Sequence, residues 1–289
     1  MLITSIIKFF VLNIFFFLSF LFPSLLKIYF IDVGQRDSAF IITPNNYTVL
    51  IDAGDLDEFH DYGKDVYSFI TKQLKINKID VVLMSHPHKD HIGGMIYILS
   101  NMKVEKFYDP GFPYPSSTYF RVLELVNEKK IKYYLAREES YINLDPAIEM
   151  KILYPPKNLV FDTPNDNSVV LRIKYKEISV LFTGDIEANA EKLIVKKYKN
   201  KQKEIISNIL KVPHHGSYTS SIYKFLQLVT PEVTIISCGK NNRFGHPHYT
   251  ILKRYENYGV EIFRTDIEGT IEVIIDGKDY KINKFVYKN

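Results

Sequence analysis

The segment Ser85-His86-Pro87-His88-Lys89-Asp90-His91-Ile92-Gly93-Gly94 constrains this chain more than any other. It sets three imidazoles and one carboxylate within six positions, directly after the apolar run IDVVLMS. A loop has no packing need for clustered histidine. Neutral imidazole and carboxylate are suitable donors for Zn²⁺, Mn²⁺ or Fe²⁺. On an extended backbone His86 and His88, two positions apart, point the same way. Asp90 and His91 follow on the turn and can face a second ion. The Gly93-Gly94 pair is expected to let the backbone turn tightly into a helix that starts after His91. A single cysteine, Cys238, excludes a disulfide framework and any zinc site built from several thiolates. Cys238 ends an apolar strand and is expected to be a small buried side chain. The ligands must therefore be His and Asp, drawn from distant stretches that converge.

The remaining chain is patterned to supply such stretches. From Phe9 to Leu26 there is no charged residue, with Lys8 before the run and Lys27 after it. A membrane-spanning helix takes roughly 17–25 apolar residues. We therefore expect residues 1–27 to be a signal peptide or an uncleaved membrane anchor, and residues 28–289 to form one domain. No small-x-small cleavage site precedes Lys27, which favours the anchor, and Lys8 orients the domain outward. After Lys27, IYFIDV, SAFIIT and YTVLID predict an antiparallel meander. A helix is expected in YGKDVYSFITKQL, strands in KILYP, SVVLRIKY and ISVLFTG, and helices in EANAEKLIVKKY and SSIYKFLQLV. Strands return in EVTIIS, VEIFRT, TIEVIID and KINKFVY. No Pro-, Gly- or Ser-rich linker divides this series. The pattern predicts two β-rich halves packed face to face with helices outside, an α/β fold of αββα form. The formal net charge of +4 is too mild to demand a polyanionic partner. The 41 Tyr and Phe residues are spread along the chain, as expected for core and sheet-face packing.

The H-x-H-x-D-H run after a strand resembles the metallo-β-lactamase superfamily. The resemblance extends to Phe182-Thr183-Gly184-Asp185 and to Lys211-Val212-Pro213-His214-His215-Gly216-Ser217. It implies an αββα sandwich of two mixed sheets with one or two divalent ions, Zn²⁺ or Mn²⁺, at the edge where the sheets meet. It implies as metal ligands His86, His88, Asp90, His91, Asp185 and His215, with His214 close behind. Further stretches are similar to the hydrolase domain of ComEC-type competence proteins: Phe30-Ile31-Asp32-Val33-Gly34-Gln35, Val49 to Gly54, Asn165 to Leu171, Gly245-His246-Pro247-His248, Arg264-Thr265-Asp266 and Gly269. Those are DNA-uptake channels with a large membrane part, for which one N-terminal segment stands here.

Departures from the family pattern shape the remaining expectations. Arg36 stands where the family's D-V-G-Q-G-D loop has its second Gly, and is expected to close that loop or meet a phosphate. His88 stands where many membrane-channel members carry Asp. Asn167 occupies the approximate place of the third His of the first ion, so a weaker amide oxygen or another group, His246 being one candidate, completes that site. Asp90 is expected to hold the second ion and orient the attacking water, and His246 to donate a proton to a leaving oxygen or hold a phosphate. Ser217 and His248 are expected at the substrate. Asp32 and Asp52, which end strands, are expected to brace the metal loops.

These features predict a metal-dependent hydrolase, with DNA as the implied phosphodiester substrate and no evident protein partner. It would be secreted or membrane-anchored, outside the cytoplasm. Another phosphoester or a lactone is the alternative substrate. An inactive, membrane-tethered module that binds DNA or a partner is the alternative from a different class.

Overall fold

The computed structural model describes residues 24–287. The expected N-terminal segment lies, up to residue 23, outside the described residues. The folded domain opens earlier than the expected boundary at 28: Leu26 and Lys27 already belong to strand β1 (Leu26–Phe30). They pair with Ile275 and Ile274, and Leu26 is fully buried. Among the described residues, no helix is long and apolar enough to cross a membrane.

The anticipated meander is β1, β2 (Ala39–Ile42) and β3 (Thr48–Ile51), paired antiparallel in that order. Helix α1 (Tyr62–Ser68) leads to β4 (Lys78–Leu83), which adds parallel to β3. Next come α2 (Lys89–Ile92), α3 (Met95–Asn101), β5 (Lys103–Asp109), α4 (Ser117–Glu128) and β6 (Lys132–Leu135). The second half carries β7 (Glu149–Tyr154), β8 (Val170–Tyr175), β9 (Ile178–Phe182), α5 (Ala188–Tyr198), β10 (Ile209–Lys211), α6 (Tyr223–Val229) and β11 (Val233–Ile236). It continues with α7 (Tyr249–Asn257), β12 (Glu261–Arg264), α8 (Thr265–Glu268), β13 (Ile271–Ile275) and β14 (Tyr280–Lys284). One sheet runs β14-β13-β1-β2-β3-β4-β5-β6, the other β12-β11-β10-β9-β8-β7. The C-terminal hairpin thus returns to the N-terminal sheet, which the sequence pattern does not reveal.

Period-2 alternation explains the layering. In β1, Ile28 and Phe30 join the core between the sheets, whereas Tyr29 packs outward against the helices. In β9, Val180 and Phe182 face inward and Leu181 outward. The Phe30 and Phe182 rings stack 5.5 Å apart across the interface. Each fully buried side chain of this size stabilises the fold by roughly 1.5–3 kcal/mol. On the outside, α4 buries Tyr119, Val122, Leu125 and Val126, a spacing of three to four residues that makes one helical face.

The helix after the histidine motif differs from expectation. α2 begins at Lys89 rather than after His91 and stops at Gly93-Gly94, beyond which α3 starts. Both glycines keep ordinary helical φ, −56° and −69°. They do not serve the turn. A Cβ on Gly94 would lie 2.0 Å from the Ala53 carbonyl, and one on Gly93 2.4 Å from the Leu56 amide. The pair lets the metal loop lie against the loop after β3.

Candidate metal centre

Strands β1, β3 and β4 run in one direction, and β9, β10 and β11 run parallel to one another. The loops after these strands carry the chemistry, as is usual where α/β sheets present their carboxyl ends. They bring Asp37, Asp52, the His86–His91 motif, Asp185, His214 and His215 to one edge. Val169 N donates to Ser85 O at 2.9 Å, tying the loop after β4 to the second sheet.

Asp185 is the hub. Its Oδ2 lies 3.2 Å from His91 Nε2, 3.5 Å from His215 Nε2, 3.9 Å from His214 Nε2 and 4.0 Å from His86 Nε2. Asp90 Oδ2 lies 3.8 Å from His91 Nε2 and 3.7 Å from His215 Nε2. His86 Nε2 and His88 Nδ1 stand 3.0 Å apart. The structure thus brings together His86, His88, Asp90, His91, Asp185 and His215, with His214 at the margin. Asp185 caps no helix, and the N-cap position of α2 belongs to His88 rather than Asp90.

His214 and His215 both adopt the left-handed region, φ 48° and 53°. That conformation is uncommon for residues other than glycine, and it marks a strained functional turn. His215 Nδ1 donates to Ser237 O at 2.9 Å, which leaves Nε2 facing the carboxylates. His214 Nδ1 pairs with Glu187 at 3.0 Å instead.

Asp52 braces the motif as expected: His91 Nδ1 and Ser85 Oγ reach its Oδ2 at 2.8 and 2.6 Å, and Ser85 N reaches its Oδ1 at 2.8 Å. Asp32 does not share that role. It is exposed, and its carboxylate accepts from Gly34 N within its own turn. Arg36 closes its loop: NH2 binds Asp57 at 2.6 Å, Nε lies 3.7 Å from Asp55, and the guanidinium covers Tyr62 at 3.8 Å. Ser217 is buried, its hydroxyl 2.9 Å from that of Thr219. His248 stands at the start of α7 against Tyr218.

Asn167 is wholly buried. Its amide nitrogen donates to Phe161 O and Thr163 O, both at 2.7 Å, and its Oδ1 has no hydrogen-bond partner. Its neighbours organise the Asp185 loop. Asp166 accepts from Glu187 N and Ala190 N at the start of α5, and Ser168 Oγ accepts from Asp185 N at 3.2 Å.

His246 lies beside the site, its ring centroid 5.7 Å from that of His214 and 6.3 Å from that of His215. Gln35 Oε1 accepts from Gly239 N at 3.0 Å, so its amide nitrogen faces His246 Nδ1 at 3.3 Å. Nδ1 therefore accepts, and the proton sits on Nε2. Burial and the neighbouring His215 push its pKa down to about 4.

Electrostatics divide the centre. Asp185, Asp90 and Asp52 outweigh burial and hold the His91 pKa well above its usual value. Asp185 is held well below the usual carboxylate range, since His91, His215 and His214 outweigh its desolvation. His86 goes the other way: burial, then the charge of His91, hold it well below.

The sequence reading missed Asp37 and Lys211. Both are buried and joined in a short ion pair. Asp37 approaches His91 and His215 from their Nδ1 sides, 3.8 Å from each, opposite the nitrogens that face Asp185. It forms the floor of the centre rather than its open face. The available signal was the aspartate closing the Gly34-to-Asp37 loop. Glu187 was missed because nothing near it in sequence marks it.

The donor set fits divalent ions. The relevant donors of Asp37, His91, Asp185 and His215 all lie within 4.8 Å of one another. Asp185 Oδ1, His215 Nε2 and Asn167 Oδ1 are buried without partners. Buried polar atoms are rarely left so, and a coordinated cation satisfies them.

This fold and donor set are those of the metallo-hydrolase superfamily with a candidate metal centre, and the family comparison agrees. Residues 31–240 match the Metallo-beta-lactamase superfamily, and the chain belongs to it. Within that superfamily it is similar to ComE operon protein 3 of Bacillus subtilis (strain 168), 31% identical over 281 residues, 89% of this chain and 34% of that protein. It is also similar to Competence protein ComA of Neisseria gonorrhoeae, 26% identical over 244 residues, 83% of this chain and 31% of that protein. These relatives are competence proteins of ComEC type, and the chain spans about a third of their length. Among solved structures, Igni18, a metallo hydrolase from Ignicoccus hospitalis, shares the fold with a TM-score of 0.52 at 15% identity, covering 91% of this chain and 100% of its own. CmlA, a diiron β-hydroxylase from Streptomyces venezuelae, does so with a TM-score of 0.55 at 12% identity, covering 88% and 54%.

Proposed function

We propose that this chain hydrolyses phosphodiester bonds in DNA, using one or two Zn²⁺ or Mn²⁺ ions. The observation that carries this is that His91 and His215 each lie within 4 Å of both Asp90 and Asp185, with buried donors left unpaired. Asp90, His91, Asp185 and His215 would hold one ion; His86, His88 and Asn167, with Asp185, would hold the other. Bound there, divalent ions lower the pKa of water toward 7 and polarise a phosphoryl oxygen. Asp90 supplies an ionised acceptor for the proton of an attacking water. Its pKa is held below the usual range, because His91 and His215 outweigh the desolvation of its crowded position. His246, neutral and carrying its proton on Nε2, supplies a hydrogen-bond donor for the departing oxygen.

The competence proteins among its relatives support DNA as the substrate. The charge-free run from Phe9 to Leu26, flanked by Lys8 and Lys27, supports a domain that works outside the cytoplasm, secreted or anchored. Fractionating cells with and without alkaline extraction tests that placement; a chain found only in the cytosol would refute it.

The activity is tested with purified full chain analysed for bound metal. It is then offered labelled single-stranded and duplex DNA, a small phosphodiester and a lactone, each with Mn²⁺ or Zn²⁺. We expect bound ion and diester cleavage, with Asp90→Asn impaired. Lactone turnover without diester cleavage would replace the substrate. A chain that holds no ion and turns nothing over, yet binds DNA, would be the tethered module instead.

A further inference from the structure

We propose that exposed aromatic rings on the rim of the metal centre form a stacking rail that selects single-stranded over duplex nucleic acid; this rests on the phosphodiesterase reading above. The rings follow one another outward. Phe244 lies over His246 with centroids 5.7 Å apart and planes at 23°. His246 and His248 are 5.4 Å apart and tilted by 58°, and His248 meets Tyr218 edge-on at 5.1 Å and 83°, which turns the Tyr218 face away from the ring row. Because His246 also neighbours His214 and His215, the rail begins against the side chains that Asp185 gathers. Its outer members are open to solvent, Phe244 at 52% and Tyr218 at 69% exposure. Phe244 and Tyr218 thus present ring surface beside the reactive centre, where a base can reach it.

The ground beside the rail sets Asp55, Asp57 and Asp90 against Arg36, Lys89 and Arg243, and of these cations Arg243 alone has no carboxylate partner among the described residues. A cleft of about 590 Å³ runs between Phe244 and Asp90, and Lys89 and Arg243 line it. Its carboxylates are engaged: Asp57 is bound by Arg36, Asp55 lies near Arg36 and Lys89, and Asp90 belongs to the metal centre. The Arg243 guanidinium lies over the Phe244 ring, 4.9 Å from its centroid, so a base that reaches this ring meets its cation as well. Bases of a single strand offer their faces to such rings, whereas duplex bases are already stacked and paired.

The test compares wild type with the Phe244→Ala/Tyr218→Ala double variant. Binding is read by fluorescence anisotropy on the metal-loaded full chain, with single-stranded and duplex phosphorothioate oligonucleotides of about 12 nucleotides that resist cleavage. The expected result is a single-strand Kd raised by about tenfold, with the duplex Kd changed less than about twofold. Phe244→Tyr and Tyr218→Phe, which keep the rings, should restore wild-type discrimination. Tyr134→Ala, which removes an exposed ring on the distant β6 edge, should leave it unaltered. Unchanged single-strand affinity, or equal weakening for both forms, overturns the rail and leaves the phosphodiesterase reading standing. A wild-type chain that cleaves a small diester but neither binds nor cuts DNA overturns the rail and the DNA substrate together.

Discussion

On one side of Asp185, the imidazoles of His91 and His215 are each fixed from behind, by Asp52 and by the Ser237 carbonyl, and stand among Asp37, Asp90 and Asp185. On the other side, His86 and His88 face each other at 3.0 Å, and among the described residues only the Ser85 hydroxyl reaches His86 Nδ1, at 3.1 Å; the amide of Asn167, the third member assigned to this half, is neutral. The first half is anionic and braced; the second is neutral and less firmly oriented. Anionic donors held in place attract a cation more strongly than neutral ones that must be ordered as it binds. The two halves should therefore differ in how tightly they hold an ion. Dialysis against rising chelator, followed by metal analysis, should show two separate losses; simultaneous release would break the comparison.

The largest effect should come from the shared carboxylate. Asp185→Asn should remove ions from both halves and lower diester turnover on the order of 10³-fold, well beyond the roughly 10–100-fold cost of losing an outer partner. A full complement of metal in that variant would show that Asp185 is not the hub.

Next is the floor. Lys211→Met leaves the buried Asp37 carboxylate uncompensated and should destabilise the fold by about 3–5 kcal/mol in denaturant titration. Adding Asp37→Asn should recover much of that loss. If the double variant were no more stable than Lys211→Met, the pair would not be acting as a unit.

A smaller effect sharpens the contrast between the halves. Asp52→Asn should weaken the tighter ion by roughly 10–100-fold while leaving the looser one nearly unaffected, as read by competition with a metal-sensitive dye. Equal weakening of both would mean that the bracing of His91 serves the whole centre.

The smallest change should be a gain. Asn167→His replaces an amide oxygen with imidazole and should tighten the weaker ion by about tenfold, equivalent to about 1.4 kcal/mol. Unaltered affinity would place residue 167 outside the coordination sphere.

Much of this centre was legible because its chemistry is clustered. The H-x-H-x-D-H run, Asp185 and the His214-His215 pair stand out since loops have no other use for such side chains. Asp52 was visible as a carboxylate ending a strand beside Gly54. The partners of Arg36 and Ser217 were not legible, because spacing does not announce what a loop residue meets once the chain folds: Asp55 and Asp57 for one, Thr219 for the other. Strand β5, which carries Lys103, Glu105 and Lys106, and β6, exposed along its length, went unread because apolar periodicity is weak in both.

By itself the sequence determined the alternation that builds two apolar-faced sheets, the His and Asp character of most donors and the exclusion of a site built from several thiolates, because each of these depends on residue type and local spacing. Tertiary structure alone decided that Asp37 and Lys211 underlie the centre, that Gly93 and Gly94 serve close approach rather than a turn, and that Phe244, His246, His248 and Tyr218 align along its rim. Those arrangements join residues as many as 174 positions apart. Their energies arise only when packing excludes water and leaves each polar group with the partners that the fold provides.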